Sequence, residues 1–184
     1  MPTAPDILVR TTIIGVGLAM CPFCAHASHG RLPEAQVKAA FVVQLAQFVA
    51  WPADTIKSTF DLCLAPGRGP LAQALAEWDG RRLQEREIRV VHIEQARDLA
   101  GCDLVVFPQA VQAAGWSAWL RAARSTLTVG EGAGFAAAGG MAGLVVEGER
   151  IVIEINIDAV RHAGFKVSAR LLRLARIIEQ GGTR

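Results

Sequence analysis

Asp103-Leu104-Val105-Val106-Phe107 places one acid before four apolar residues in a row. A strand with one wet face alternates apolar and polar residues. An unbroken apolar run of this length predicts a strand covered on both faces, as at the centre of a parallel sheet. Towards the N-terminus, Asp61 to Ala65 alternates like a short strand, and Pro66-Gly67-Arg68-Gly69 turns the chain. Pro70 to Trp78 then reads as a short helix with Leu71, Ala74 and Leu75 inward. After a turn at Asp79-Gly80, Ile88 to Ile93 is β-rich and Glu94 to Ala100 is a helical turn. Towards the C-terminus, Gln109 to Arg124 reads as a helix burying Val111, Leu120 and Trp116 or Trp119. A strand follows at Thr126 to Val129, then a glycine- and alanine-rich loop from Gly130 to Gly140. Met141 to Val146 and Arg150 to Ile155 flank Glu147-Gly148-Glu149, a hairpin signal.

The outer segments complete the pattern. Pro33 opens a first helix whose apolar face is Val37, Phe41, Leu45, Phe48 and Val49, stopped at Trp51-Pro52. Asn156 to Ala163 is a short helix closed by Gly164, with Asn156 serving a turn. Ser168 caps a last helix over Ala169 to Ile178. Strands alternating with helices predict a three-layer α/β domain with a mainly parallel sheet, the late hairpin adding antiparallel strands at one edge.

The chain has 184 residues, 52% hydrophobic and 20% charged, which excludes a disordered polyelectrolyte and suits one compact domain. A net charge of +2 and 6% aromatic residues without Tyr give no support for nucleic-acid binding. Residues 1–27 read as a secretory signal: Arg10, then the short apolar run Thr11 to Met20, then Ala25-His26-Ala27. Cleavage after Ala27 leaves residues 28–184. Two readings compete: an uncleaved anchor, and a lipoprotein signal ending at Cys21, although Met20 stands where a small residue is wanted. The C-x-x-C at Cys21 and Cys24 lies in this segment. Cys63 and Cys102 remain, an even pair that in an oxidising compartment is most simply a disulfide, two buried thiols being the other possibility.

Chemistry-bearing constellations are sparse. Gly67-Arg68-Gly69-Pro70-Leu71-Ala72 fits G-x-G-x-x-A, with Glu85 or Glu87 near the distance of a ribose-binding acid. Pro70 and Arg68 crowd that loop, so an ordinary strand–helix turn is the better reading, and no cofactor is expected. No pair of histidines has metal-ligand spacing, and no serine sits in a nucleophile elbow. The expectation is therefore no metal and no enzyme. Arg170, Arg173 and Arg176 drift around one side of the last helix, as a solvated face does. Lys166-Val167-Ser168-Ala169-Arg170 is the most pocket-like polar cluster. The glycines of Gly130 to Gly140 read first as allowing tight turns or close packing, with a mobile cover over a pocket as the functional alternative.

Three blocks have a familiar order. Glu34-Ala35-Gln36-Val37-Lys38-Ala39-Ala40-Phe41, closing in Phe48-Val49-Ala50-Trp51-Pro52, resembles the opening of the YfiR/HmsC-like family. Leu127-Thr128-Val129-Gly130-Glu131 through Gly139-Gly140-Met141 resembles a second family block. Ile153-Glu154-Ile155-Asn156-Ile157-Asp158-Ala159 and Ala163 to Leu172 resemble a third. The resemblance implies a Rossmann-like α/β fold without a dinucleotide role and a periplasmic regulator, often a homodimer. It implies a partner, the periplasmic sensor domain of an inner-membrane diguanylate cyclase held inactive, with lower cyclic di-GMP and less biofilm. An OmpA-like outer-membrane lipoprotein is a second implied partner. Cys63 and Cys102 fit the positions of a family disulfide; a second one, near the glycine-rich region, has no counterpart. On this reading Phe48, Trp51 and Pro52 are candidate apolar anchors, and Ser168 and Arg170 candidate polar contacts, of a partner or ligand surface. A small-molecule sensor, with its pocket between the last helix and the glycine-rich loop, is the other hypothesis.

Overall fold

In the computed structural model, which describes residues 33–52, 57–108 and 113–179, Leu104–Phe107 is a strand with all four residues buried. Its side chains alternate between two cores. Leu104 and Val106 join one apolar cluster, and Val105 and Phe107 join the other. The same split divides Leu62 and Leu64 from Cys63 on the neighbouring strand. The two clusters lie on opposite faces of one sheet, which makes the domain three-layered.

The elements in chain order are α1 (Glu34–Gln47), β1 (Val49–Ala50), β2 (Thr59–Leu64), α2 (Pro70–Ala76), β3 (Arg82–Leu83) and β4 (Arg86–His92). A 3₁₀ helix (Ala96–Gly101), β5 (Leu104–Phe107), α3 (Ala113–Ala122), β6 (Leu127–Glu131), β7 (Ala142–Glu147) and β8 (Arg150–Asn156) follow. The chain then forms α4 (Ile157–His162), β9 (Lys166–Val167), α5 (Ala169–Leu174) and β10 (Arg176–Ile178). The main sheet has the order β10-β8-β7-β6-β5-β2-β4-β3. β4, β2, β5, β6 and β7 run parallel, and β3 and β8 are antiparallel to their neighbours β4 and β7. From β2 the chain steps out to β4 and returns across β2 to β5, so the order reverses between β2 and β5. The fold class expected from the sequence is the one observed.

One face is covered by α1 and α2 with Val160 of α4 and Leu171 of α5. The other carries the 3₁₀ helix, α3 and the turn holding Phe135. Cys63 of β2 and Cys102, just after the 3₁₀ helix, are joined by a disulfide, with Cα atoms 5.8 Å apart.

Several expectations are corrected. The buried face of α1 is Lys38, Ala39, Val42, Val43, Leu45 and Ala46. Phe41 and Phe48 lie at its margin, because the small Ala39 and Ala46 let the helix approach its neighbours closely. The helix ends at Gln47, before Trp51-Pro52, because Val49 and Ala50 pair with β9. The last helix stops at Leu174. Ala175 is extended, and Arg176–Ile178 pairs parallel to β8 instead of prolonging the helix. Arg176 anchors that strand by forking onto Glu147 at 2.7 and 2.9 Å and reaching Glu154 at 3.3 Å. The helix expected over Gln109 to Arg124 is described from Ala113 to Ala122. Val111, like the signal segment with Cys21 and Cys24, lies outside the described residues.

Candidate functional site

β1 and β9 form a separate two-stranded antiparallel ribbon, Val49 opposite Val167 and Ala50 opposite Lys166. The Ser168 amide extends it by donating to the Phe48 carbonyl at 2.9 Å. This ribbon ties the end of the first helix to the start of the last. It brings Phe48 and Trp51 together with Ser168 along one cleft, with Arg170 near the Phe48 ring, while Pro52 sits against Gly164.

Each side chain has a local reason for its place. The Trp51 ring meets Phe60 edge-on at 5.5 Å and Phe165 edge-on at 5.9 Å, so the indole is held from two sides. Trp51 stays half-buried, and its Nε1–H is buried without an acceptor. Phe48 is also half-buried, with the Arg170 guanidinium 5.6 Å from its ring centre. Both residues therefore pack on the core and border the surface at once. Gly164 adopts φ +78°, which a side chain would resist, and sits against Pro52. The Ser168 hydroxyl accepts from the Leu171 amide at 3.3 Å and so caps α5.

A cleft of about 590 Å³ opens beside this ribbon, lined by Gln47 to Trp51, Gln84, Arg86 and Lys166 to Ser168. Gln84 and Arg86 were not anticipated from the sequence. Gln84 turns the chain between β3 and β4 at φ +54°, without the Gly or Asn that marks such turns. Arg86 is fixed by a buried network at the amino ends of the strands. It donates to Asp103 at 2.7 Å and to the Thr59 carbonyl, and its guanidinium stands 5.1 Å from the Phe60 ring centre. Asp103 also accepts from the Asp61 amide at 2.8 Å. Burial works against ionisation of Asp61, but Arg89 at 2.7 Å and Lys57 at 3.4 Å outweigh it and hold its pKa below the ordinary carboxylate value.

The other end of the sheet is arranged differently. The loop after β2 carries the G-x-G-x-x-A stretch and borders a cleft of about 690 Å³ with His92 and Glu94. Glu87 pairs with Thr59 at the opposite end of β2, so neither it nor Glu85 stands where a ribose-binding acid would. Nearby, Lys38 is buried between Glu131 at 2.6 Å and Glu34 at 2.5 Å. Burial opposes its charge, yet those two contacts prevail and keep its pKa above the ordinary lysine value.

The glycine-rich segment is packed, which favours close packing, the first of the two readings of its glycines, over the mobile cover. Phe135 is fully buried, 5.3 Å from Phe107 and 5.0 Å from Trp116 between ring centres. A Cβ added at Gly130 or at Gly140 would stand 2.1 Å from that ring, so glycine is required at both. Gly139 instead borders a cleft of about 770 Å³ with Leu120, Arg124, Asp158 and His162. The cleft at the start of the last helix faces Trp51 and Gln84, not the glycine-rich segment as the sensor hypothesis placed it. Asn156 is buried. It caps α4 through the Ala159 amide at 2.9 Å and donates to the Ala136 carbonyl at 2.8 Å. Among the described residues, no group of three His, Cys, Asp or Glu side chains is placed to hold a metal ion. Nor, among the described residues, is any helix long and apolar enough to cross a membrane.

The sequence matches the YfiR/HmsC-like family across residues 35–176, a span holding both strands of the ribbon and all the site residues. The chain belongs to the YfiR/HmsC-like family. Within it, the observed Cys63–Cys102 disulfide is the pairing that the family resemblance implied. No curated protein sequence matches this YfiR/HmsC-like chain. Two solved structures share its fold. One is an ABC domain in complex with L-Trp from Streptococcus pneumonia, with TM-score 0.53 and 11% identity, covering 78% of this chain and 60% of that one. The other is a conserved domain protein from Vibrio cholerae O1 biovar El Tor strain N16961, with TM-score 0.53 and 11% identity, covering 82% and 62%. The YfiR/HmsC-like chain thus spans about three-fifths of the length of these structures, and at this identity they speak to fold alone.

Proposed function

We propose that this protein is a non-enzymatic periplasmic regulator that binds and represses the periplasmic sensor domain of an inner-membrane diguanylate cyclase, lowering cyclic di-GMP output and biofilm formation. The family is known for periplasmic regulation of diguanylate cyclases, which supports the class of function. The observation that supports the surface is the β1–β9 ribbon, which gathers Phe48, Trp51 and Ser168 along one cleft, with Arg170 over the Phe48 ring. Half-buried aromatic anchors with a polar rim are what a binding hot spot needs. The reading includes export by the signal at residues 1–27, a single domain over residues 28–184, a homodimer, and sequestration by an OmpA-like outer-membrane lipoprotein.

The test is a pull-down with the mature protein from detergent-solubilised membranes of its own source, read by mass spectrometry. Recovery of a membrane diguanylate cyclase, lost on Trp51→Ala in a variant that still folds, is the expected result. Recovery of no membrane cyclase under gentle conditions would overturn it. A second reading, a small-molecule sensor, draws on the cleft of about 690 Å³ at the carboxyl ends of β2 and β4. Its place beside the reversal of strand order is where open α/β sheets hold ligands. A ligand-dependent rise in melting temperature across a metabolite panel would favour it, and no shift would count against it.

A further inference from the structure

We propose that the cleft beside the β1–β9 ribbon takes an acidic, apolar-containing segment of a protein partner. The inference rests on the reading above that the Phe48–Trp51 face is the partner surface, and it specifies the partner's chemistry. Among the described residues, the charged ones lining the cleft are Arg86 and Lys166, with Arg170 over Phe48 at its border, and no Asp or Glu lines it. The charge of Arg86 is answered by Asp103, which is itself buried. Lys166 and Arg170 are exposed and have no ion-pair partner among the described residues. The whole chain is nearly balanced, at +2, so among the described residues this is a local concentration of unanswered positive charge.

The geometry favours a carboxylate on a chain over a free anion. Arg170 stands 5.6 Å from the centre of the Phe48 ring, which limits its freedom, and it is exposed, so the planar fork of its guanidinium is open to a ligand. Such a fork matches a carboxylate bidentately. Directly beside it, Phe48 and Trp51 offer apolar surface that a small anion would leave wet. A segment with an apolar residue next to Asp or Glu satisfies both at once. Attraction between opposite charges also steers encounter, so association should be salt-sensitive.

The experiment uses the mature protein and two fluorescein-labelled probes: a short peptide alternating Glu and Leu, and its Gln–Leu counterpart. Binding is followed by fluorescence anisotropy from about 0.05 M to about 0.5 M salt, a range across which screening of exposed charges changes steeply. The Glu–Leu peptide is expected to bind at least about tenfold more tightly than the Gln–Leu peptide at low salt, and to lose that margin at high salt. Lys166→Glu and Arg170→Glu are each expected to weaken it about tenfold, whereas Arg150→Glu, at the far hairpin turn, leaves it unchanged. Equal binding of the two peptides, binding of neither, indifference to both charge reversals, or equal competition by free glutamate would overturn the inference. Capture of the cyclase sensor domain is measured with the same variants. Capture lost on Trp51→Ala but retained in both charge reversals would defeat the acidic segment and keep the regulator reading. Selective peptide binding without capture of the cyclase would do the reverse.

Discussion

Phe135 shows how one side chain can dictate its neighbours. Its ring fills the space above two glycines and closes the core beneath α3. Phe135→Ala should destabilise the protein by about 3–5 kcal/mol, the range for a buried aromatic residue cut to alanine. Gly140→Ala alone should also destabilise, because its new methyl would collide with the ring. Added to Phe135→Ala, the same change should cost little, since the obstacle is gone. Urea unfolding of the two single variants and the double variant measures this coupling. Costs that simply add would sink the account. The two glycines stand in plain view in the sequence, within a glycine-rich run that reads as tight turns or close packing. Nothing local says that a phenylalanine folds back over them, since that contact belongs to the tertiary structure.

At the scale of elements, the disulfide fastens the 3₁₀ helix to β2, whereas α1 on the opposite face is held by packing and by the polar contacts of Lys38 with Glu131 and of Gln36 with Glu77. Cys63 and Cys102 are 39 positions apart, and chain-entropy arithmetic gives about 4 kcal/mol as the ceiling for closing such a loop. The Cys63→Ala/Cys102→Ala double variant should therefore lose up to about 4 kcal/mol in denaturant titration. The intact mass of the wild type should rise by two hydrogens on reduction. An unchanged mass would remove the basis of the prediction. Elements of four or more residues were largely legible. The apolar run at Leu104–Phe107, the hairpin about Gly148 and the Pro-initiated α2 follow from period and turn chemistry. β1, β3, β9 and β10 were not, because a strand of two or three residues has no period to read. The site suffered accordingly. Phe48, Trp51 and Arg170 were picked out on their residue types and family resemblance, but their meeting depends on a two-residue ribbon. Gln84 and Arg86 enter through a turn that carries no turn residue.

At the scale of the whole molecule, the charge network at the amino ends links β2, β4 and β5. The folded protein holds Asp61 ionised more readily than the unfolded chain does. Its contribution is thus fully present above the unfolded carboxylate value of about 3.9 and fades as pH falls through the lower folded value. Asp61→Asn should cost about 1–3 kcal/mol at neutral pH through lost charged hydrogen bonds. It should also flatten the decline in stability below about pH 4. Chemical denaturation at a series of pH values checks both, and an unchanged acid slope would contradict the assignment.

The ribbon of β1 and β9 also has a consequence in time. Its strands come from near the two ends of the domain, so a chain that emerges N-terminus first lacks the second strand until almost all of the domain has appeared. Under the proposed function, a truncated or half-finished copy would have Trp51 but no docking face around it. Partner recognition would then double as an inspection of completeness, and only finished molecules could silence their target.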